Sequence, residues 1–188
     1  MPNQHIIGKS GLNFALPGSD IDSNPNLLST EAVTLMKKRK VRLSAKYPPS
    51  QPCACEICIH YCTRPGWWTV EEAAGAIDAG YAHRMMVEMA PEMTFAVLSP
   101  AFNGCEGNFA LQEYADRGCT FFTDNRCELH GTGHQPLECR FCHHDRRGLG
   151  RKCHADLERD WRTSAGRTTI SKWIAKTGFT GLGVIRFH

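Results

Sequence analysis

Apolar positions along this chain fall into short periodic stretches separated by polar, glycine- and proline-rich segments. Residues 1 to about 28 are rich in Asn, Ser, Gly and Pro and show no period. They predict a poorly ordered N-terminal arm, leaving 29–188 as a single domain. A helix is expected from Ser29 or Thr30 through Glu31 toward the basic run that ends at Arg42. Tyr47-Pro-Pro-Ser-Gln-Pro52 stops it, because proline lacks the N–H donor and restricts the residue before it. Thr69-Val-Glu-Glu72 reads as a capping box, with Ala73, Ala74, Ala76 and Ile77 continuing the helix and Gly80 placed to end it. Met93 to Leu98 is apolar, partly β-branched and bounded by prolines, as a strand would be. Thr120-Phe-Phe-Thr and Cys127-Glu-Leu-His130 flank Asp124-Asn125, a hairpin turn by composition.

Further along, Pro136 can open a short helix carrying Cys139 and Cys142. Helical periodicity returns over 155–162 and 168–176, the latter closed by Gly178, and 182–187 has strand character. The glycine-broken basic segment Arg146 to Lys152 reads as a solvated turn. Neither a repeat nor a low-complexity tract is present. The fold expected is α+β: a small, irregular, cysteine-rich domain with several helices and a short β-hairpin.

Composition alters this picture in one respect. The 188 residues are 41% hydrophobic and 22% charged, so a core can form without disulfide staples. The net charge of +3, without a concentrated basic stripe, argues against a nucleic-acid partner. No apolar run approaches the length of a membrane span, and no continuous apolar core of a secretory signal precedes the domain. Taken as a full-length precursor, the chain is expected in the reducing cytoplasm, where clustered thiols hold metal rather than pair as disulfides.

There are ten cysteines. Cys53-Ala-Cys55-Glu-Ile-Cys58-Ile-His-Tyr-Cys62 forms one cluster. Thiolates two to four residues apart can turn inward on one loop and share a cation. Cys119, Cys127, Cys139 and Cys142 form a second, with thiols on both hairpin strands and the following turn. These eight are the expected metal ligands. Four thiolates suit a tetrahedral zinc site or an iron–sulfur centre such as a 4Fe-4S cluster, so both metals stay open. A thioredoxin-like use of Cys55 and Cys58 would need a strand leading into the motif, and prolines stand there instead. Cys105, in a glycine-flanked turn, and Cys153, beyond the basic loop, have no neighbouring thiol in sequence. His60, His130, His143 and His144 are candidate mixed ligands, with at most one of the last two facing a metal. Trp161 and Trp173 fall at core positions, while Trp67-Trp68 cannot share one helix face.

The cysteine order resembles that of the YkgJ-type zinc- or iron-chelating domain family, which includes flagellin lysine N-methylase. Cys55, Cys58 and Cys62 match three cysteines of its first motif, with Tyr61 where the remaining one would stand. Arg64-Pro65 and the helix at Thr69 follow. Cys119-Thr-Phe-Phe, Cys127-Glu-Leu-His130 and Pro136-Leu-Glu-Cys139-Arg140 match later elements, so the resemblance covers about 53–145. It implies a metal-chelating protein, holding zinc or iron and taking a protein or peptide partner. Two alternatives are an iron–sulfur enzyme that modifies a protein or peptide, and a zinc-dependent adaptor.

Overall fold

The computed structural model describes residues 42–181, all within one compact unit that spans Val41–His188. The arm, the helix expected from Ser29 and the strand expected over 182–187 lie outside the described residues.

The architecture is α+β. The elements run α1 (Leu43–Lys46), α2 (Glu56–Thr63), α3 (Val70–Asp78), β1 (Met85–Met89), β2 (Ala96–Pro100), β3 (Phe122–Thr123), β4 (Arg126–Cys127), α4 (Leu137–Phe141), α5 (Gly150–Trp161) and α6 (Ser164–Thr177). β1 and β2 pair antiparallel with Val87 opposite Leu98, and β3 pairs antiparallel with β4.

Local chemistry explains most boundaries. The Thr69 hydroxyl accepts from the Glu72 N–H and the Glu72 carboxylate accepts from the Thr69 N–H, each at 3.1 Å, which closes the capping box at the start of α3. Beyond its other end Gly80 takes φ +94°, a conformation that favours glycine. Asp124 and Asn125 both have positive φ, as a two-residue hairpin turn between right-twisted strands requires. The apolar run from Met93 is a strand only from Ala96 onward. Met93 is exposed at φ +55° and belongs to the turn that leads into β2. Its partner β1 carries Met-Met-Val-Glu-Met, whose strand character composition does not announce. Helix α5 begins inside the basic segment, so Cys153 sits on a helix and is fully buried.

The main core gathers Trp68, Ile77, Met85, Leu98, Phe121 and Trp173 with their neighbours, closed over by α5 and α6. Each fully buried indole has a carbonyl partner: Trp68 donates to His134, Trp161 to Trp68 and Trp173 to Ala82, at 2.7–2.9 Å. A second cluster, Tyr47, Leu137, Phe141, Cys153 and Leu157, ties α4 to α5 and to the entry of the cysteine-rich segment.

Where α5 turns into α6, Gly166 is buried and a Cβ built on it would lie 2.2 Å from the Trp161 carbonyl oxygen. Gly166→Ala should therefore destabilise the fold by about 1–3 kcal/mol, as overpacking does, although alanine ordinarily favours a helix by about 1 kcal/mol over glycine. Urea unfolding midpoints of the two proteins decide the sign.

Candidate metal centre

The segment between α1 and α2 has few apolar anchors and is held through its backbone. The Ser50 N–H and hydroxyl both donate to the Arg140 carbonyl, at 2.8 and 2.9 Å. Arg146 donates to the carbonyls of Pro48 (2.7 Å) and Pro49 (3.3 Å). The Tyr47 hydroxyl reaches the Lys152 carbonyl at 3.1 Å. These contacts lay residues 47–51 along α4 and the turn that follows it, and so carry the first thiols to His144.

Cys53, Cys55, Cys58 and His144 each place one ligand atom within 4.8 Å of all the others. His144 Nδ1 lies 3.6 Å from the sulfurs of Cys53 and Cys55 and 3.5 Å from that of Cys58. This Cys3His group could hold a metal ion. Cys58 is buried, while the other three donors are exposed. Cys55 is the N-cap of α2, and the free Cys58 N–H at the helix start draws its thiol below the ordinary range. Burial pushes the Cys58 thiol the other way, to about 11. His143, ring-stacked on His144 with centroids 4.1 Å apart, turns its own Nδ1 to Asp145 at 2.5 Å. One histidine of the pair thus faces the thiols and its neighbour braces the turn. His60 is exposed and absent from the group.

The group holds His144 in the place that spacing along the chain assigns to Cys62. Cys62, one turn further along α2, instead borders a cavity of about 420 Å³ that it shares with Cys53, Cys58, Cys127 and His130. A smaller space of about 150 Å³ adjoins Cys62, Cys139 and Cys142. Of the two thiols expected on the hairpin strands, Cys127 lies on β4 opposite Phe122, whereas Cys119 precedes β3, bridged to Phe102, with its carbonyl accepting from the Phe122 N–H. Arg84 clamps this hairpin, bridging Glu128 at 2.6 Å and lying 4.0 Å over the Phe121 ring. Cys139 sits in α4, its sulfur accepting from the Gly66 N–H at 3.2 Å.

Burial raises all of these thiols: Cys119 to about 12, Cys142 to about 11 and Cys139 well above the usual range. Their mutual charge adds to the effect, Cys119 feeling Cys127 and Cys62, and Cys139 feeling Cys119. Cys62, Cys119 and Cys139 each feel a neighbouring thiol's charge, so with Cys127 they share one neighbourhood, a second set, but among the described residues only Cys53, Cys55, Cys58 and His144 bring ligand atoms within 4.8 Å of one another.

Glu72 couples the two regions. Besides capping α3, its carboxylate accepts from the Leu137 N–H at the start of α4 and pairs with Arg140 at 2.6 Å. Cys105 is buried with Met86 and Ala101, apart from both sets, and Cys153 packs against Leu137 and Leu157. Two polar pairs have no signal in the sequence: Glu138 with His154 (3.0 Å), and Glu88 with Trp67 Nε1 (3.0 Å). Among the described residues no helix is long and apolar enough to cross a membrane. Comparison of the chain with protein-family models, with curated proteins and with solved structures finds no match.

Proposed function

We propose that the protein is a zinc-binding module, with one structural ion held by Cys53, Cys55, Cys58 and His144. One observation carries this reading. The imidazole nitrogen stands 3.5–3.6 Å from three sulfurs. A tetrahedral zinc with Zn–S near 2.3 Å and Zn–N of 2.0–2.1 Å separates sulfur from nitrogen by about 3.5–3.6 Å. The match is to a single ion, since the irons of a cubane take their thiolates at separate corners. Four protein donors also fill the coordination sphere and leave no position for water or substrate, the mark of a structural rather than a catalytic zinc. The ion joins two segments that otherwise meet through a few backbone hydrogen bonds.

A second reading concerns Cys62, Cys119, Cys127 and Cys139, which supply four soft donors from α2, the hairpin and α4. They suit a further zinc or an iron–sulfur centre, as thiolates accept both. The resemblance of the cysteine order to the YkgJ-type chelating domains supports a metal at this set as well.

Anaerobic purification followed by elemental analysis and an absorption spectrum tests both. At least one zinc per chain is expected, with His144→Ala losing one equivalent. A colourless sample with two zinc per chain assigns zinc to the second set, one zinc leaves that set empty, and a brown sample with broad visible absorption assigns iron–sulfur. Folded, fully reduced and metal-free protein would overturn the proposal.

A further inference from the structure

Away from both thiol sets, a cavity of about 240 Å³ opens between β1, β2 and α5. Trp67, Met89, Phe95 and Val97 supply its apolar walls, and Glu88, Glu92, His154 and Glu158 its polar lining. The volume is smaller than pockets for drug-sized ligands, roughly 300–1,000 Å³.

The carboxylates around this space differ in how they are matched. Glu92 and Glu158 at the rim share Arg162, each with a contact of 2.6 Å, and the Arg162 guanidinium lies 4.3 Å over the Phe95 ring. Glu138, behind His154, is matched by that imidazole. Glu88 makes no ion pair among the described residues. Its Oε1 accepts from Trp67 Nε1 at 3.0 Å and from the Ser99 hydroxyl at 2.5 Å, while its Oε2 accepts from neither. No buried side-chain oxygen among the described residues lacks a partner, so Oε2 is not fully buried, and Glu88 lines the cavity.

We infer that this cavity binds the ammonium group of a small organic amine, with Glu88 as its counter-ion and Trp67, Phe95 and Val97 against its apolar body. The site is predisposed to this charge. Three carboxylates line it, Glu88, Glu92 and Glu158, and its mouth already accommodates one cation, Arg162, over an aromatic face. Burial raises the Glu88 carboxyl above its usual range, which reflects the cost of charging it without a partner. An ammonium ligand supplies that partner. Nothing in this inference depends on the metal at the thiol sets.

The test uses full-length, metal-loaded protein titrated with benzylamine, with benzyl alcohol as an uncharged probe of the same shape. The readout is the Trp67 indole N–H resonance, assigned with Trp67→Phe, which reports from this cavity and not from the thiols. Benzylamine should shift it saturably and bind at least about tenfold more tightly than benzyl alcohol, as one charge-assisted hydrogen bond implies. Glu88→Gln keeps an oxygen for Trp67 and Ser99 but turns an amide donor toward the ligand, and should weaken benzylamine by at least about tenfold. Equal binding of the two probes, no saturable shift, or undiminished binding to folded Glu88→Gln would each overturn the inference. Should that variant not fold, the comparison of probes on the unaltered protein decides alone.

Discussion

Serine at Cys58 is expected to empty the Cys3His centre and lower stability by about 4–5 kcal/mol or more, the scale on which losing a structural metal acts. Cys58 is the one buried donor of the four, and it lies on α2, the element that also positions Cys55 and Cys62. A hydroxyl is shorter than a thiol and a far weaker ligand for a soft cation. Without the ion, the segment from Pro48 to Pro52 keeps its bonds to Arg140 and Arg146. Metal per chain and the melting temperature, measured together, check this. His60→Ala, from the exposed side of the same helix, should leave both unchanged. Cys105→Ser should leave the metal content unchanged, since Cys105 packs among Met86 and Ala101. Metal lost from Cys105→Ser and kept in Cys58→Ser would redraw the ligand set.

Trp161→Ala should cost about 3–5 kcal/mol by a different route, through the cavity left in a close-packed core. Trp161 is 1% exposed at the end of α5, and its Nε1 donates to the Trp68 carbonyl at 2.8 Å. Removing the indole deletes its volume and strands that carbonyl, one residue before the Thr69 cap of α3. Denaturant unfolding should show the loss. Zinc in the Cys3His group should stay at the unaltered value per folded chain, because Trp161 supplies none of its ligand atoms. That separates it from Cys58→Ser, where stability and metal fall together.

What the sequence discloses follows from the range of the interaction concerned. The capping box at Thr69, the Asp124-Asn125 turn, the short helix after Pro136 and the closure at Gly178 were all legible, because residues within a few positions determine them. So were the core positions of Trp161 and Trp173. Strand β1 was not legible, since Met-Met-Val-Glu-Met is defined by its pairing with β2 and not by its own propensities. At the centre, the spacing of Cys53, Cys55 and Cys58 identifies three donors of one group. The fourth, His144, comes from a turn fixed by Arg146 and α4, whereas the sequence alone gives that place to Cys62 and leaves His144 as one of four candidate histidines. The separation of Cys62 from its three predecessors is helical geometry. One turn along α2, its sulfur meets the hairpin thiol Cys127 across the cavity instead of the shared ligand position.

The donors that meet at His144 are 86 to 91 residues away from it along the chain. During synthesis at about 5–20 residues per second, Cys53, Cys55 and Cys58 therefore emerge roughly 4–18 s before their fourth ligand. In that interval the three thiols are a loose, exposed claw, open to whichever soft cation or oxidant is at hand. Selection of the right ion falls to the folded domain, once α4 has docked and the imidazole is delivered. The second thiol set has the same property, since Cys139 follows Cys62 by 77 residues. Any metal that the Cys3His group holds is thus captured late in folding, and the fidelity of that capture depends on how quickly the core between Cys58 and His144 assembles.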